Sequence, residues 1–68
     1  MNIKTENWLY EQYDILKTTA ELITQAAENH WWIALKTPGG ESYLTNVQAR
    51  VVLELAQSRI KEIEDLIK

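Results

Sequence analysis

Leu9, Tyr13, Leu16, Ala20, Ile23, Ala27 and His30 follow one another in steps of four and three residues. That spacing is the seam of a helix with a seven-residue repeat. Trp8, Ile15 and Leu22 recur every seven residues beside the seam and widen it. Glu11, Asp14, Thr18, Glu21, Gln25 and Glu28 fall on the opposite side. The pattern predicts an amphipathic helix from Thr5 to about Asn29 that packs against a core or a partner.

A second stripe runs through Ala49, Leu53, Ala56, Ile60, Ile63 and Ile67, with Val52 and Leu66 beside it. Its start is marked by Thr45-Asn46-Val47-Gln48, a capping box in which threonine caps the helix and glutamine at the third helical position reaches back. Leu44 before the cap and Ala49 after it can form a hydrophobic staple. Arg50–Glu54, Lys61–Asp65 and Glu64–Lys68 place opposite charges four residues apart on the polar side, worth tenths of a kcal/mol each.

Between the helices, Thr37-Pro38-Gly39-Gly40 holds the only proline and both glycines, a composition that favours a tight turn. Trp31-Trp32-Ile33-Ala34-Leu35-Lys36 and Glu41-Ser42-Tyr43-Leu44 flank it and favour strand. A three-residue loop would pair Thr37 with Glu41 and set Leu35 opposite Tyr43. A four-residue loop would pair Lys36 with Glu41 and set Ile33 opposite Leu44. Both registers make chemical sense. The competing reading extends the first helix to Lys36, since Ala34, Leu35 and Lys36 are good helix formers. The preferred expectation is an α+β fold, helix–β-hairpin–helix with two antiparallel amphipathic helices; the alternative is an all-α helical hairpin.

A chain of 68 residues is one small domain, residues 1–68, and such a chain buries only ~60% of the surface that its unfolded state exposes. Disulfides, metals or self-association are the usual reinforcements. With no cysteine and one histidine, disulfides are excluded and no metal site or cofactor is expected. Self-association remains, as a homodimer or a larger assembly. Its candidate seam is Leu9, Tyr13, Leu16 and Ile23 on the first helix with Leu53, Ile60, Ile63 and Ile67 on the second.

No run approaches the ~20 apolar residues of a membrane span, and the first residues lack the apolar core of a signal peptide. A cytoplasmic protein without membrane contact is expected. The net charge is −3, and the seven basic residues never cluster. Direct nucleic-acid binding is therefore disfavoured, because phosphate recognition needs a basic stripe.

The densest group of unusual residues is His30-Trp31-Trp32 with Tyr43 and, further along, Arg50. Adjacent tryptophans cannot both enter one small core from a strand, since neighbours point to opposite faces. An indole left at a surface anchors partners or stacks on rings; the plainer role is an aromatic cap on a small core. His30 has no partner in sequence that would make it a general base. Placed on the seam between subunits, it would make assembly pH-sensitive. Gly39-Gly40 matches no phosphate-binding loop, and Ser42 and Ser58 have no histidine placed to activate them. These features predict a non-enzymatic interaction module, a small inhibitor or adaptor that binds another protein and itself. The alternative expectation is a nucleotide-like ligand held by His30, Trp31, Trp32, Tyr43 and Arg50 at an oligomer interface.

Overall fold

The computed structural model describes residues 3–67, with side chains from Glu6 onward. Helix α1 spans Ile3–Asn29, strand β1 Ile33–Thr37, strand β2 Gly40–Leu44 and helix α2 Asn46–Ile67. The order is helix, hairpin, helix; the all-α alternative does not occur. The fold measures 40 × 27 × 16 Å, so α1, at about 1.5 Å per residue, runs its full length.

The strands pair antiparallel with Ile33 opposite Leu44, Ala34 opposite Tyr43 and Lys36 opposite Glu41. This is the register that pairs Lys36 with Glu41, carried one pair further so that the loop is only Pro38-Gly39; the pairing of Thr37 with Glu41 is not adopted. The turn explains the choice. Thr37 pairs with Gly40 across Pro38-Gly39, its Oγ1 accepting the Gly39 N–H at 3.1 Å and donating to the Gly40 carbonyl at 3.4 Å. Gly40 takes a φ of 148°, open to glycine and strained for any residue with a Cβ. Both tryptophans precede β1, so the strand is shorter than its aromatic run suggested.

The helices pack through a thin core. Leu9, Ile23 and Ala26 of α1 meet Ala49, Ala56 and Ile63 of α2, and Ile63 has no exposed surface. Three of these six side chains are alanine, which lets the helices approach closely. Tyr13, Leu16, Leu53, Ile60 and Ile67 are half-buried around them. The seam departs from its sequence pattern at the end of α1. Ala27 and His30 are exposed, and Ala26 is buried in their place. Helices cross at an angle, so the line of contact moves from the row of Tyr13 and Ala20 to the row of Thr19 and Ala26. His30 has left the helix altogether.

The capping box forms as the sequence implies. Thr45 N–H donates to Gln48 Oε1 at 2.9 Å, and Gln48 N–H donates to Thr45 Oγ1 at 3.2 Å. The pairs Arg50–Glu54 and Lys61–Asp65 do not close. Among the described residues the ion pair is Arg59–Glu62, at 2.9 Å and three residues apart; both side chains are solvated, so it contributes little to stability. Lys68, partner of Glu64 in the sequence pattern, lies outside the described residues. No helix among the described residues is long and apolar enough to cross a membrane.

Candidate binding cleft

Where α1 ends, the chain must turn towards the hairpin. Trp31 N–H donates to the Ala26 carbonyl at 2.9 Å, and His30 takes a φ of 57°. Together these form a Schellman motif, with His30 in the left-handed position usually held by glycine. Histidine is one of the few other residues that adopt it. The motif throws Trp31 and Trp32 out beside the helix end.

Where α2 begins, the capping box fixes Asn46 and aims the first turn at the same place. Between the two helix ends and the base of the hairpin lies a cleft of about 600 Å³. Ile23, Ala26, Ala49 and Leu53 form its floor, and the facing pair Ile33–Leu44 closes one end. His30, Trp31, Trp32, Asn46 and Arg50 stand around it.

Four of the five residues singled out in the sequence thus line one cleft. The fifth, Tyr43, lies behind Trp32, with ring centroids 5.7 Å apart and planes tilted by 54°; such edge-tilted pairs are favourable. Trp31 is 62% exposed and Trp32 78%, so neither indole caps the core. No ionised carboxylate lines the cleft. A second depression, along α1 from Thr18 to Glu28, is walled by one helix alone and carries Glu21 and Glu28; nothing there closes over a ligand. Among the described residues no group of three histidine, aspartate or glutamate side chains could hold a metal ion.

The candidate seam residues are buried or half-buried against each other within one chain: Leu9, Ile23 and Ile63 fully, Tyr13, Leu16, Leu53, Ile60 and Ile67 in part. The large apolar side chains at the surface are their neighbours. Trp8, Ile15 and Leu22 each precede a core residue of α1, and Val52, Leu55 and Leu66 each precede one of α2. Antiparallel helices are related by a two-fold axis perpendicular to their plane, so equivalent positions on the two helices face the same side. One side of the helix pair therefore carries all six of these apolar side chains, with Gln12 and Thr19 interspersed on α1 and Arg59 and Glu62 set between Leu55 and Leu66 on α2. Leu55 belongs to the same row as Val52 and Leu66, beside the buried stripe.

Compared with known proteins, the chain matches no family model, no curated protein and no solved structure.

Proposed function

We propose that this protein is a non-enzymatic interaction module, an inhibitor or adaptor that works through the apolar side of its helix pair, whose first occupant is a second copy of the chain. The carrying observation is the strip of Trp8, Ile15, Leu22, Val52, Leu55 and Leu66, each at least 37% exposed on a fold whose own core is six side chains. Contiguous exposed apolar surface on a small domain marks an interaction site. The strip suits a two-fold partner because an isologous contact needs one self-complementary patch. Arg59 and Glu62, already paired with each other at 2.9 Å, offer opposite charges that two copies can exchange across the axis. Four helices in two layers is a stable solution for such surfaces.

The test is the mass in solution at micromolar concentration, compared with the variant Ile15→Lys and with Leu55→Lys. The expected result is a dimer for the wild type and a monomer of unchanged helix content for each variant. A wild type that stays monomeric would refute self-association, and variants that still dimerise would refute the strip as its surface. A monomer that binds a different protein through the same residues would move the reading to a heteromeric adaptor.

A further inference from the structure

We infer that the cleft between the helix ends is a binding site for a small planar ring carrying an anionic group, a carboxylate or a phosphate. The site is complete within one chain and shares no residue with the apolar strip, so it stands independently of self-association.

Shape and charge both support it. The volume of about 600 Å³ lies within the range of ligand pockets, roughly 300–1,000 Å³. Its floor is apolar, and its rim offers two exposed indole faces. Stacking of a ring on an indole is worth about 1–3 kcal/mol and does not depend on the ring's identity. Trp32 meets the Tyr43 ring at a centroid distance of 5.7 Å and stays 78% exposed, open to a stacking ring.

The charge is local and opposite to that of the whole. The chain has ten acidic residues against seven basic, yet Arg50 stands on the rim with His30 and Asn46 and without a carboxylate. Arg50 makes no ion pair among the described residues; Arg59–Glu62 is the pair that forms. A guanidinium is always charged and is built to grip carboxylate or phosphate oxygens two at a time. The Asn46 amide adds a donor that neither charge state of a ligand would repel. His30 stands at the rim where the end of α1 places it.

The chain has three tryptophans, hence three indole N–H signals in a proton–nitrogen correlation spectrum. Trp8 lies 23 residues before Trp31, most of them helical, and serves as the internal control. Two anionic probes, 2-naphthoate and adenosine 5′-monophosphate, are titrated beside their neutral counterparts, 2-naphthamide and adenosine. The expected result is a saturable shift of the Trp31 and Trp32 signals with Trp8 unmoved. Anionic probes should bind about tenfold more tightly than neutral ones, and Arg50→Gln should remove that advantage while sparing the neutral affinity. The pair with the larger gain of anionic over neutral probe identifies the anionic group as carboxylate or phosphate. Trp32→Ala should weaken all four. No saturable shift with either anionic probe at millimolar concentration, equal affinity for charged and neutral probes, or an equal response at Trp8 overturns the proposal.

Discussion

The amide of Trp31 and the carbonyl of Ala26, 2.9 Å apart, decide where the first helix stops and which way the chain leaves it. The bond can close only because His30 between them turns left-handed. The departure of Trp31 and Trp32 from the helix end depends on that one residue's backbone.

Replacing His30 with glycine should therefore stabilise the fold. Glycine adopts the left-handed region without the Cβ penalty, and relief at such a position is worth up to about 1 kcal/mol. For a domain of this size that is roughly 4–8 °C in Tm. Thermal unfolding followed by circular dichroism measures it; a lower Tm would mean that the imidazole contributes more than its backbone costs.

The capping box predicts a loss that is shared. Thr45→Ala should cost about 1 kcal/mol. Gln48→Ala should cost less, since it frees the Thr45 N–H to water at an exposed site. Because each side chain serves the other's amide, the double variant should lose less than the sum of the two. Urea unfolding of the four proteins checks the sign of the coupling.

How much of this could be read from the residues differs from element to element. The second helix and its first turn were legible because Thr45 and Gln48 are local chemistry, needing no tertiary partner. The hairpin's existence was legible from Pro38-Gly39-Gly40 with its flanking residues. Its register was not, because the two pairings differ only in which residue closes the turn, and that depends on the φ of Gly40 and the hydroxyl of Thr37. The heptad spacing held for Leu9, Leu16 and Ile23 and then gave the wrong neighbour, Ala27 for Ala26, since spacing does not encode the angle at which two helices cross. His30, Trp31, Trp32 and Arg50 stood out by type. That a single chain gathers them around one cleft follows from two helix ends meeting, which no local pattern contains.

The fully buried Ile63 is the place where the core has least to spare. Ile63→Ala should cost about 2–5 kcal/mol, comparable to the ~3–5 kcal/mol that a core of this size supplies. The expected outcome is loss of the cooperative unfolding transition at room temperature, whereas Ile63→Val should retain it with a stability lowered by about 1 kcal/mol. Two variants with equal midpoints would show that the helix pair is not held at this point.

Gly40 meets no atom within 4 Å of where a Cβ would stand, so Gly40→Ala should act through the backbone alone. The expected cost is about 1–3 kcal/mol, from forcing an L-residue to a φ of 148°. Chemical synthesis with D-alanine at position 40 should restore the loss, since that enantiomer favours positive φ. Equal loss with both enantiomers would point to a steric cause instead.

The hairpin rests on the helices at its base, the half-buried pair Ile33 and Leu44, while the rest of both strands stands in solvent. Its length is thereby uncoupled from the helix pairing, within one rule of parity. Removing two adjacent facing pairs, Leu35 with Ser42 and Lys36 with Glu41, shortens the arm and leaves every remaining side chain on its own face. Removing one residue alone would turn one strand's faces over and drag the start of α2 out of step with α1. Relatives of this chain should accordingly differ in the arm by facing pairs taken two at a time, and a foreign peptide spliced at Pro38-Gly39 should be carried without disturbing the helices beneath it.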